Sequence, residues 1–204
     1  MGNPSSNLGG NLIKMDIGGN NVEEYMPTKV QVIKNYFDKL GVTLEDLAEL
    51  VFEFQSKHVK GLKRSDALEA VKSVMNKREV QHALITAIEL DERAMNKELG
   101  QPLQKVAEED RGTFGVDETG ALGVLMLFGS IAFSNWGWLD IEKPGIIGVV
   151  NDLQKTYIAT DGKEGMITIF MDDQLSAIVA GAEAKLAHDN EPGHNGEQAE
   201  NDKF

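Results

Sequence analysis

The chain contains no cysteine. This excludes disulfides, thiolate nucleophiles and cysteine-held zinc or iron–sulfur centres, and agrees with a reducing cytoplasm. Positive charge is scarce as well: 20 Lys and Arg stand against 33 Asp and Glu, for a net charge of −13 and a pI near 4.7. Phosphate neutralisation needs clustered basic residues, so general nucleic-acid binding is excluded, and simple electrostatic adhesion to an anionic membrane is disfavoured. The N-terminus lacks the basic start and apolar stretch of a signal peptide. Met1-Gly2 with Ser6 fits the N-myristoylation pattern only formally, since so short a pattern is readily met by chance. No internal repeat is visible, and nothing alternates at period two except the short stretch Gly165 to Phe170.

What is present reads as helix. An apolar fraction of 41% and a charged fraction of 26% are ordinary for a folded chain of 204 residues, long enough to bury a substantial core. Pro27-Thr28 opens a run that stops at Gly41. Thr43 caps a second helix, with Glu45 and Asp46 in its first turn and Leu44, Leu47, Val51 and Phe54 as its stripe. Ser65 is expected to cap a third, and Arg78 to about Leu99 forms a long one with Val80, Ala83, Leu84, Ala87 and Ile88 on one face. The expectation is an all-α fold: a single compact domain over 27–188, with a buried central helix surrounded by amphipathic ones. Residues 1–26, rich in Gly and Asn, read as a flexible leader, and 189–204 as a disordered tail.

From Thr119 to Leu139 there is no charged residue, a run long enough to span a bilayer. It carries four glycines, two serines and an asparagine, and both flanks are acidic, so the positive-inside signal is missing. The reading adopted is that this segment is the buried central helix.

Acidic residues in three places carry the functional information: Asp117-Glu118 in GVDETGALG, Asp140 in WLDIEKPGII, and Asp172-Asp173 in GMITIFMDDQLSAIVAG. Each lies in or beside an apolar, small-residue-rich segment, where an unpaired carboxylate is costly to bury. A hard divalent cation is the partner that suits such oxygens. Asp117 and Asp140 are 23 positions apart, roughly 35 Å along one straight helix. They share a site only if the chain turns back, and Asn135 to Trp138 is the expected place. Taken singly, each pair is also explained as a solvated helix start. Ala177 and Gly181 continue one face after Asp173, where small side chains let another helix approach.

These three motifs, in this order, resemble the phosphatidylglycerophosphatase A family, in which a D-E pair, a D-x-x-K-P motif and a D-D pair after glycine occur in sequence. The segment NKREVQHALITAIELDE is similar to the soluble branch, some of whose members carry a low-temperature-requirement name. The resemblance covers roughly residues 43 to 188, without the glycine-rich N-terminal loop and hydrophobic spans of the membrane branch. It implies magnesium-dependent hydrolysis of phosphatidylglycerol phosphate, with Mn2+ or Ca2+ as substitute ions. Asp117, Glu118, Asp140, Asp172 and Asp173 would then be metal ligands or water-orienting bases. Lys143 would neutralise phosphate as a point charge, and Pro144 would shape the turn that presents it. The implied partners are a phospholipid or small phosphorylated substrate, the inner face of the membrane by peripheral contact, and a second copy of the chain.

A further polar stripe joins Arg78, His82 and Glu89. One reading makes Arg78 a phosphate ligand and His82 a proton donor to the leaving group; the other, an ordinary exposed face, is preferred. Trp136 and Trp138 are taken as core aromatics rather than an interfacial pair. An all-helical nucleotide phosphohydrolase would need E-x-x-E followed by E-x-x-D; Glu89 and Glu92 supply only the first half. A non-catalytic protein whose acids merely cap helices is the remaining alternative.

Overall fold

The computed structural model describes residues 11–17, 20–110 and 117–190. The tail from 191 onward, the first ten residues and their acylation pattern lie outside this range. Within the expected leader, β1 (Asn11–Ile17) pairs antiparallel with β2 (Asn20–Met26) in the register Asn11 to Met26 and Ile17 to Asn20. Ile13, Met15 and Ile17 alternate in sequence with Lys14 and Asp16, the period of a strand. The composition of this stretch hides that alternation.

Beyond the hairpin the described residues are all-α. The helices are α1 (Lys29–Leu40), α2 (Leu44–Gln55), α3 (Arg64–Met75), α4 (Arg78–Met95), α5 (Leu103–Glu109), α6 (Glu118–Leu125), α7 (Ser130–Glu142), α8 (Ile146–Ala159) and α9 (Met171–Asp189). Local chemistry sets their ends. Thr28 and Gln31 exchange side-chain and backbone hydrogen bonds at the start of α1, and Gly41 ends it at φ 71°. Thr43 and Asp46 do the same for α2, at 2.9 and 3.1 Å. The start of α3 differs from expectation: Asp66 reaches back to the Lys63 amide at 2.9 Å, which places Ser65 inside the helix.

The central helix is α9, buried on every side from Met171 to Ala184 and packed against α2, α3, α4, α6, α7 and α8. This relocates the expected central element. The uncharged run from 119 to 139 breaks into α6 and α7 around Gly129, at φ 78°, and leaves Met126, Phe133 and Trp138 exposed. Apolar content along that run is high, but glycines and serines interrupt it and no continuous core helix results. In α9, polar residues obscure the burial while Ala177, Ala180, Gly181, Ala182 and Ala184 let neighbours close in. A Cβ at Gly181 would lie 2.9 Å from the Phe128 ring. Leu175 and Ile178, fully buried here, each contribute ~1.5–3 kcal/mol of hydrophobic stabilisation. The stretch Gly165 to Phe170 forms no strand; its amides bond outside any ladder, Thr168 N to Gln154 Oε1 at 2.8 Å and Met166 N to Leu153 O at 3.1 Å. No described helix is long and apolar enough to cross a membrane.

Candidate active site

The five acids come from three helix ends. Asp117 and Glu118 open α6, and Asp117 Oδ1 accepts the Glu118 amide at 3.2 Å. Asp140 lies in the last turn of α7, and Lys143 follows as its C-cap at φ 46° with its amide bonded to Leu139 O at 2.8 Å. A left-handed backbone at a residue with a Cβ costs ~1–2 kcal/mol, and it aims the lysine at the start of α9. Gly148 makes room for that conformation, since a Cβ there would lie 2.4 Å from the Lys143 carbonyl oxygen. Asp172 and Asp173 begin α9 and are 7% and 4% exposed. The chain turn that brings α6 and α7 side by side falls at 126–129 rather than at the expected 135–138.

Lys143 Nζ sits among the carboxylates: 2.7 Å from Asp140 Oδ1, 2.8 Å from Asp172 Oδ2 and 3.5 Å from Asp173 Oδ1. All five acids and Lys143 line one cavity of about 300 Å3, together with Asp110, Asn151 and Gln154. One ammonium cannot neutralise this many carboxylates. Burial, then the charges of Asp172 and Asp140, push Asp173 up to about 9. Burial also raises Asp172, against the pull of Lys143. Burial and the neighbouring Glu118 lift Asp117 to about 7. For Lys143, burial favours loss of the proton, but Asp172, Asp140 and Asp173 together outweigh it and hold it firmly charged.

Among the described residues, no three acidic or histidine side chains are arranged to hold a metal ion as they stand. The ammonium of Lys143 occupies the space between three of them. The donor set nonetheless fits magnesium: every candidate ligand is a carboxylate oxygen, and the cluster carries more buried negative charge than its one lysine offsets.

The other expected residues separate. Arg78 does not reach the cavity; it is exposed and pairs with Glu79 at 2.8 Å. Glu89 pairs with Arg93 at 2.6 Å. His82 lines a neighbouring cavity that shares Asp117 as part of its wall, with Nε2 3.3 Å from Lys29 Nζ. Trp136 Nε1 donates to Asp173 O at 3.3 Å, whereas Trp138 is 45% exposed and meets Phe54 edge-on, so only the first is a core aromatic.

Asp91 escaped the sequence reading. It is wholly buried, accepts from the Phe170 amide at 3.2 Å and the Tyr36 hydroxyl at 3.4 Å, and so anchors the start of α9. Burial, reinforced by Asp172 among its neighbours, raises its carboxyl well above the usual range. Its signal was its position: Asp91 continues the apolar stripe of Val80, Leu84, Ala87 and Ile88, where a charge is out of place.

The family model for phosphatidylglycerophosphatase A matches residues 34–188. The chain belongs to the phosphatidylglycerophosphatase A family. It is 42% identical over 148 residues to the uncharacterized protein YutG of Bacillus subtilis, covering 72% of this chain and 84% of YutG. It is 35% identical over 178 residues to the uncharacterized protein YpjQ of the same organism, covering 87% and 95%. The crystal structure of low temperature requirement C protein from Listeria monocytogenes shares the fold, with a TM-score of 0.69 and 37% identity over 79% of this chain and 96% of that one. The matched span of the phosphatidylglycerophosphatase A model contains every residue of the acidic cavity.

Proposed function

We propose that the chain is a magnesium-dependent phosphatase that hydrolyses a phosphate monoester, with phosphatidylglycerol phosphate as the substrate and phosphatidylglycerol and inorganic phosphate as products. The observation that carries this reading is the gathering of Asp117, Glu118, Asp140, Asp172 and Asp173, from three helix ends, around one cavity with Lys143. Family membership supplies the substrate class.

Asp117, Glu118, Asp140, Asp172 and Asp173 would hold Mg2+, which when bound supplies charge neutralisation for the phosphoryl oxygens. The protein's own contribution is positional. Acids from the ends of α6, α7 and α9 line the same cavity, so a phosphoryl group held among them is confined in orientation. Lys143 provides a fixed positive charge at the junction of α7 and α9. A carboxylate of the cluster takes a proton from the attacking water, whose oxygen bonds to phosphorus as the ester P–O bond breaks; the same carboxyl then returns that proton to the leaving alkoxide, giving the alcohol and inorganic phosphate. Mn2+ or Ca2+ would occupy the same oxygens. The lipid would be met by peripheral contact at the inner membrane face.

The test is phosphate release by purified protein from phosphatidylglycerol phosphate in detergent, from glycerol phosphates and from nucleotides, each with and without magnesium. Release from the lipid only with magnesium is expected. Release from nucleotides alone overturns the lipid assignment, and no release from a folded protein assigns the cluster a binding role.

A further inference from the structure

Beside the acidic cavity lies a second, of about 410 Å3, and Asp117 belongs to the wall of both. Gln174 on α9 and His82 and Thr86 on α4 give it polar wall, while Leu90 and Phe170 close it with apolar surface. Gln174 is 1% exposed, yet its Oε1 has no hydrogen-bond partner. A buried amide oxygen left without a donor is costly, and in a native fold calls for an explanation. Among the described residues nothing in the wall donates to it, and the Thr86 hydroxyl is already given to His82 O at 2.8 Å. Gly120 on α6 makes room for the Gln174 amide in this wall, since a methyl there would lie 2.6 Å from Gln174 Nε2. Gln174 also directly follows Asp173, so whatever bonds to it is held next to the acidic cavity.

We infer that the second cavity receives the alcohol half of the phosphate monoester, and that Gln174 Oε1 accepts a hydrogen bond from a hydroxyl on that alcohol. This rests on the phosphatase reading above and adds a specificity determinant to it. The phosphoryl group stays among the carboxylates, the ester bond spans the wall at Asp117, and the leaving group points toward Gln174. An alcohol lacking the hydroxyl fills the same space but leaves the buried acceptor unmade, which is how a site rejects an analogue missing one polar group.

The experiment compares kcat/KM, with magnesium, for glycerol 1-phosphate and n-propyl phosphate, which differ only in hydroxyls. Wild type is expected to favour the hydroxylated ester by roughly tenfold or more. Gln174→Leu should bring the ratio to within about twofold of one. Gly120→Ala, which keeps the glutamine but displaces its amide, should lower the ratio as well and serves where the leucine variant does not fold. A lipid arm sets phosphatidylglycerol phosphate in detergent micelles against its analogue lacking the free headgroup hydroxyl. Discrimination there identifies a lipid headgroup as the occupant; discrimination among the soluble esters alone identifies a free polyol phosphate. Equal handling of the ester pair by wild type, or a wild-type ratio in both folded variants, overturns the inference while leaving the phosphatase reading intact. Release from no monoester at all removes both.

Discussion

Lys143 joins the end of α7 to the start of α9 through a 2.8 Å contact with Asp172, and the two side chains are 21% and 10% exposed. This ion pair is the resident counter-charge of the acidic cluster. Lys143→Met removes it while keeping the length of the stem. Taking one partner from a buried pair costs roughly 3–5 kcal/mol, and because the lysine is partly exposed the low end, about 3 kcal/mol, is expected from urea unfolding at pH 8 without magnesium. Magnesium should restore part of the loss by supplying another cation to the folded state. Unchanged stability in the absence of magnesium would show that Lys143 is not what makes the cluster tolerable.

Asp173→Asn bears on the same charge balance from the other side. Asp173 is 3.5 Å from Lys143 and is held protonated up to about 9, so its carboxylate form is the least well offset of those around the lysine. The amide keeps the shape and cannot ionise. The variant should be as stable as wild type without metal, or more stable by about 1 kcal/mol, and inactive toward phosphatidylglycerol phosphate. Magnesium should raise the melting temperature of wild type and have little effect on the variant. A large loss of metal-free stability would make Asp173 a structural residue instead.

The helical fold and the acid pairs were legible for different reasons. Thr28 with Gln31, and Thr43 with Asp46, are local signals, and the helices begin where those residues say they do. The central helix was misplaced because hydropathy counts apolar residues along the chain. Burial of α9 depends instead on small residues facing six other helices, with Asp172, Asp173, Gln174 and Glu183 kept inside. That same helix explains why the site was only half legible. The carboxylates are visible one motif at a time, but Lys143 as their shared partner depends on a left-handed residue at the end of α7, and the role of Gln174 on an orphaned atom. Neither leaves a mark in spacing.

Asp91 offers a test that separates charge from hydrogen bonding. Its oxygens accept from Phe170 N and Tyr36 Oη, and burial keeps the carboxyl well above its ordinary titration range. Asp91→Asn retains an acceptor of the same shape and should cost under about 1 kcal/mol. Asp91→Ala leaves the buried Tyr36 hydroxyl and the Phe170 amide unpaired and opens a small cavity, for a loss of about 2–4 kcal/mol. Because the Phe170 amide precedes Asp172 and Asp173, the alanine variant should also lose activity beyond its loss of fold. Equal effects of the two substitutions in chemical denaturation would sink the anchoring role.

Glu183 predicts how stability depends on pH at a point remote from the phosphate chemistry. The side chain is buried within α9, receives a 2.8 Å hydrogen bond from Asn135 at Oε2, and has no partner for Oε1. Burial pushes it up to about 7 from the usual 4.5, with the Asn135 bond opposing. A carboxyl raised in the folded state keeps its proton where the unfolded chain has lost it. Its stabilising contribution is therefore complete below about 4.5 and is lost as pH climbs through about 7. Over that window stability should fall by at most about 1.4 kcal/mol per pH unit from this group. Glu183→Gln removes the titration and retains an acceptor for Asn135. The variant should show a flatter stability profile between pH 4.5 and 7, and be more stable than wild type at pH 8, where the native carboxylate is charged and buried. Urea midpoints for both proteins across the range decide it: parallel profiles would mean that Glu183 ionises in the folded protein as readily as in the unfolded chain.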